Sequence, residues 1–141
     1  MSRVSDLNKF HVQGAVSTTA ETVTNYFSVG SRPIMARNHV LTGINPAAAN
    51  GDTVSSTWAY TVTGAGGASW VTIDTEAAFE YNDTDDTNAL GDVGDSTASS
   101  VIVGSDINTR IPANALIRHE QVTTGTVTSL QMNAVLEYVV L

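Results

Sequence analysis

Apolar and polar residues alternate with a period of two along most of the chain. In TVSSTWAYTVTG, residues 53–64, the even positions Val54, Ser56, Trp58, Tyr60 and Val62 make a large, mostly apolar face. The odd positions Thr53, Ser55, Thr57, Ala59, Thr61 and Thr63 make a small, hydroxylated one. ETVTNYFSV sets Val23, Asn25, Phe27 and Val29 against Thr22, Thr24, Tyr26 and Ser28, and SWVTID sets Val71 and Ile73 against Trp70, Thr72 and Asp74. In the final VTSLQMNAVLEYVVL, Leu130, Met132, Ala134, Leu136, Tyr138 and Val140 share a face. The opposite face begins Ser129, Gln131, Asn133 and turns apolar at Val135, Val139 and Leu141. Successive strand side chains point to opposite faces, so this period predicts strands. The last strand is expected to be half-buried at its start and nearer to full burial at its end.

Turn chemistry separates these runs. GAGGAS (64–69) reads as a hairpin loop, and NPAAANGD (45–52) and TTGT (123–126) as turns. NDTDDTNALGDVGDSTASS, residues 82–100, is polar, acidic and dotted with glycine, and reads as one long acidic surface loop. IPANALIRHEQV reads either as a short helix with Pro112 in its first position or, preferably, as a strand entered through Pro112. DTEAAFEY is compatible with one helical turn after Thr75. No βαβ rhythm is present. The expected fold is all-β: a single-domain antiparallel β-sandwich or jelly-roll-like barrel over residues 21–141, with residues 1–20 as an extended N-terminal arm.

Composition sharpens this picture. The 141 residues suit one domain, and only 14% are charged against the roughly 25% usual for soluble domains. Thr, Ser, Asn and Gly must therefore cover the solvent face. The net charge of −8, with Lys9 the only lysine, argues against nucleic acid or an anionic membrane as partner. There are no cysteines, hence no disulfides or thiolate sites. No apolar run suggests a signal peptide or a membrane helix, so the chain is expected to be made in the cytosol and to remain soluble.

Candidate chemistry is sparse. Asp83, Asp85 and Asp86, beside Asn82 and Asn88, offer oxygen ligands of the kind calcium takes. The EF-hand spacing fails, however, with Asn88 where its glycine and Gly94 where its glutamate would stand. A solvated acidic loop is the preferred reading. His11, His39 and His119 are far apart and form no HExxH or HxH pattern, so they read as surface or partly buried structural histidines. No G-x-S-x-G elbow occurs, and GAGGAS lacks the Gly-Lys-Ser/Thr ending of a phosphate loop. The expectation is no catalytic, cofactor-binding or metal residues, no cofactor, and no enzyme. Trp58 and Tyr60 read as core, whereas Trp70, opposite Val71 and Ile73, is a candidate for a contact surface.

The segment TRIPANALIRHEQV, followed by a threonine turn and a strand ending LEYVVL, resembles a phrase of small tailed-phage structural β-domains, in which a proline begins the strand before the last hairpin. The matching positions are Ile111, Pro112, Ala113, Asn114, Ala115 and Ile117, within about thirty residues of similarity. The family is most similar to capsid decoration, or cement, proteins. What the resemblance implies is a virion structural protein that binds the major capsid protein on the capsid surface as a homo-oligomer, a trimer by analogy. Weakly charged, hydroxyl-faced strands suit this because they pack closely without ordering long lysines. The alternative is a carbohydrate-binding module or a fibre or spike tip that attaches to cell-surface glycans. Arg3, Leu7, Lys9 and Phe10 on the arm, with Trp70, are the interface candidates.

Overall fold

A computed structural model describes residues 7–16, 22–45, 47–48, 53–63, 69–80, 99–124, 127–128 and 130–141. Among these, the strands are β1 (Asn8–Val16), β2 (Thr22–Ser28), β3 (Ile34–Asn45), β4 (Ala47–Ala48), β5 (Thr53–Thr61), β6 (Val71–Glu80), β7 (Ser99–Ile111), β8 (Leu116–Thr124), β9 (Val127–Thr128) and β10 (Leu130–Val140). Two four-stranded sheets form, ordered β1-β10-β3-β7 and β2-β8-β5-β6, while β4 and β9 make a small two-stranded pair. Each of these pairings is antiparallel. Strands β1, β2, β3 and β5 enter the two sheets alternately, and β6, β7, β8 and β10 return the same way. That winding is a jelly roll, the sandwich expected from the alternation.

The alternation is obeyed where pairing is regular. On β2, exposed Thr22, Thr24, Tyr26 and Ser28 alternate with half-buried Val23, Asn25 and Phe27. Inside the sandwich, Leu41, Ala134 and Leu136 from one sheet meet Trp58 and Ile117 from the other. Phe10 lies 5.2 Å from Phe27 and Phe27 5.8 Å from Trp58, measured between ring centroids, so an aromatic run crosses the layers.

Several expectations need correction. Asn8–Val16 is no arm: β1 pairs with β10 along its whole length, Asn8 opposite Tyr138 through Val16 opposite Leu130. Its apolar residues are anchored by the sheet, and Phe10 stacks on Tyr138 at 4.6 Å. The end of β10 is exposed rather than buried, with Val140 and Leu141 solvent-facing. The reason is that β1 begins opposite Tyr138, which leaves Val139 and Val140 paired with β3 alone. Val62, expected on the apolar face, is 63% exposed because it lies past the end of β5. Ala59 and Thr61, expected on the solvent face, are buried. Ala59 is flanked by its cross-strand partners Arg118 and Thr72, and Arg118 folds over Trp70, so longer outer side chains shade it.

Pro112 belongs to a turn rather than to a helix or a strand. Ala115 donates its N–H to the Pro112 carbonyl at 3.4 Å, and Asn114 between them adopts φ 59°, a left-handed conformation that asparagine tolerates. The following residues form the strand that the preferred reading expected. Thr75–Glu80 continues β6 as strand, not as a helical turn. Ser99 and Ser100, placed in the acidic loop by sequence, open β7, and residues 82–98 lie outside the described residues.

Candidate functional site

Two irregularities in pairing decide what faces the interior. On β3 the register shifts between Ala36 and Asn38, and against β10 this leaves Arg37 as an extra residue. Ile34 and Ala36 are buried before the bulge, His39 and Leu41 after it, so the buried parity changes from even to odd. On β6 the pairing steps from Trp58 opposite Asp74 to Ala59 opposite Thr72, so Ile73 has no partner on β5. Ile73 and Asp74 then both reach the interior, although strict alternation put them on opposite faces. Glu76, opposite Ser56, follows Asp74 onto the core side. Val71 emerges exposed.

The residues so turned inward form one polar network across the sandwich. His39 Nδ1 lies 2.8 Å from Asp74 Oδ2 and its Nε2 3.0 Å from Ser56 Oγ. Ser56 Oγ is in turn 2.7 Å from His119 Nε2. His39, Ser56 and His119 each have 0% of their surface exposed. Proton bookkeeping orders this chain once the histidines are neutral. Nδ1–H of His39 donates to the Asp74 carboxylate, Ser56 O–H donates to His39 Nε2, and His119 Nε2–H donates to Ser56 Oγ. His119 Nδ1 is left as a buried lone pair without a partner.

Electrostatics agree with that neutral state. Burial pushes His119 down from 6.5 to about 4, and the neighbouring His39 adds to the shift. Burial also holds His39 below its ordinary value, against the opposing hydrogen bond and charge of Asp74 and the charge of Glu76. Trp58 lies against both imidazoles, 4.6 Å from His119 and edge-on at 6.3 Å from His39.

Ser56, His39 and Asp74 have the order of a nucleophile, a base and its orienting carboxylate. They are not a catalytic triad. Ser56 Oγ is engaged on both sides and sealed from solvent, so no substrate carbonyl can approach it. The network is a structural, non-enzymatic brace between sheets. A second capacity is present: ligand atoms of His39, Asp74 and Glu76 all lie within 4.8 Å of one another, a grouping able to hold a metal ion.

The interface candidates from the sequence do not converge. Leu7 is half-buried, Lys9 is exposed, Phe10 is packed against the core, and Arg3 lies outside the described residues. Trp70 stands elsewhere, on the outer side of the β2-β8-β5-β6 sheet, 6.3 Å from Tyr26. The Arg118 guanidinium lies 4.3 Å over its ring and also pairs with Glu120. Tyr26 is 54% exposed, while Trp70 and Arg118 beside it are half-buried, so this is a partly exposed aromatic and arginine patch. The calcium candidates Asp83, Asp85 and Asp86 lie outside the described residues.

His39, His119, Ser56, Asp74 and Glu76 were all missed as a group by sequence reasoning. One signal was present: Ser56 interrupts the large face of β5 two residues before Trp58, and a hydroxyl on a core face needs a partner.

No family model and no curated protein matches the chain. Among solved structures, it is similar to the VP2 protein of infectious bursal disease virus in particles of a mutant, with TM-score 0.47 and 12% identity over 94% of this chain and 31% of that one. The VP2 subviral particle of the same virus gives TM-score 0.43 and 13% identity, over 94% of this chain and 32% of that one. The chain thus spans about a third of the VP2 chains with which it aligns.

Proposed function

We propose that this chain is a non-enzymatic virion structural protein: an oligomeric decoration or cement protein on the outer surface of a phage capsid, with the major capsid protein and further copies of itself as partners. The observation that carries the reading is the strand order β1-β10-β3-β7 facing β2-β8-β5-β6. This jelly-roll winding is an architecture of viral capsid and lectin domains. The phrase TRIPANALIRHEQV, similar to phage structural domains, points the same way. The outer surface is favoured over the lumen by charge, because a chain of net −8 is repelled by packaged nucleic acid.

The attachment surface in this reading is the outer face around Tyr26, Trp70 and Arg118, since tyrosine, tryptophan and arginine dominate binding hot spots. It replaces an attachment arm, because Phe10 is already committed to the sandwich. The Tyr26–Trp70 pair also supports the second reading, a glycan-binding tip, since jelly rolls serve lectins too. Co-sedimentation with assembled, undecorated shells separates the two. Binding to shells that weakens on Trp70→Ala supports the decoration reading. Failure to bind shells, with capture on a glycan array that Trp70→Ala abolishes, replaces it with the second.

A further inference from the structure

We propose that His39, Asp74 and Glu76 bind a first-row divalent cation, zinc by preference, which clamps the two sheets together from inside the sandwich. Asp74 and Glu76 stand two residues apart on β6 and so project from one face, while His39 reaches them from β3 in the opposite sheet. Their ligand atoms already lie within 4.8 Å of one another. Around an ion with bonds of about 2.0–2.2 Å, ligand atoms sit roughly 3–4 Å apart. The wider spacings therefore close slightly, while His39 Nδ1 and Asp74 Oδ2, 2.8 Å apart in their hydrogen bond, open to admit the ion between them.

The donor set selects the ion. Calcium and magnesium take oxygen ligands, whereas an imidazole nitrogen with two carboxylates suits zinc and its first-row neighbours. Two carboxylates and a neutral imidazole also balance a dication, which a buried site requires. His39 and Glu76 are buried, and Asp74, whose side chain is 20% exposed, forms the rim through which the ion and a completing water would enter.

The neighbouring residues fit the role of a second layer of support. An ion on His39 Nδ1 displaces the proton there, so the neutral ring must carry its proton on Nε2. Nε2–H then donates to Ser56 Oγ, Ser56 O–H turns to donate to His119 Nε2, and His119 moves its own proton to Nδ1. The three hydrogens are conserved and the whole chain reverses direction. Metal-bound histidines commonly fix their other nitrogen in this way, and Ser56 stands 3.0 Å from it. One nitrogen of His119 is orphaned in either order.

The test uses the purified full chain stripped with a chelator and titrated with zinc chloride, with calcium and magnesium chlorides as comparisons. One zinc per chain, a saturable rise in Tm, and interchange of the His39 and His119 tautomers in heteronuclear NMR of the imidazole nitrogens are expected. Asp74→Asn and Glu76→Gln should each weaken zinc by at least about tenfold, and Ser56→Ala by about 10–100-fold, while His11→Ala has no effect. Three results overturn the proposal: no zinc bound by the folded chain, binding that survives both carboxylate variants, or calcium stabilising as well as zinc does. If the variants fail to fold, the wild-type tautomers decide: unchanged tautomers at saturating zinc reject the site.

Discussion

His39 on β3 and Asp74 on β6 meet at 2.8 Å across the interior, so a hydrogen bond between facing sheets replaces apolar packing at that point. Each residue reaches the other through a bulge in its own strand. The bond aligns the His39 ring for Ser56, and through Ser56 for His119. Three strands of the inner sheet surface, β5, β6 and β8, are thereby tied to β3.

Ser56→Ala should be far more damaging than its size suggests. It strips the partner from Nε2 of both His39 and His119, and each buried polar atom left unsatisfied costs about 1–3 kcal/mol. A loss near 3 kcal/mol in urea unfolding is expected. Thr57→Ala, which removes only an outer hydroxyl contact to Thr75 at 3.1 Å, should change stability by about 1 kcal/mol or less. Equal effects from the two would mean that the brace is not stabilising.

Acid should unfold the protein through its buried histidines. Their folded pKa values lie below the unfolded 6.5, so between those values the unfolded chain binds more protons and stability falls with falling pH. The His119 contribution is fully present above pH 6.5 and is lost down to about pH 4. At about 1.4 kcal/mol per unit it amounts to roughly 3 kcal/mol. Denaturant midpoints measured with chelator present should decline across that window, and His119→Gln should flatten the decline.

Leu136→Asp places a carboxylate where exposure is 0%, on a strand paired on both sides with β1 and β3. Burying that group without a partner should cost several kcal/mol. Thermal melting should show a large drop or no folded state, and an unchanged Tm would refute the register of β10.

Arg118→Ala should leave the fold intact while changing the outer patch. It removes the half-buried guanidinium lying 4.3 Å over Trp70, a cation–π contact of about 1 kcal/mol. A small drop in Tm, altered tryptophan emission and weaker attachment to shells are expected. Undiminished attachment would move the contact surface elsewhere on the sandwich.

The sequence by itself determined the all-β class, the strand phase of β2, and the burial of Trp58, Ala134 and Leu136. Period-two alternation reports which side chains share a face, and regular pairing preserves it. Tertiary structure decided the rest wherever pairing was irregular or partners came from afar. The bulges at Arg37 and Ile73 leave no mark on the local pattern, yet they turned His39 and Asp74 inward. Asn8–Val16, read from sequence as part of an extended arm, is ordered by pairing with β10. The polar brace draws its members from β3, β5, β6 and β8, so only the winding of the two sheets could bring them together: a hydrogen bond of 2.7 Å between residues 56 and 119 depends on how the chain returns, not on what lies beside either residue in sequence.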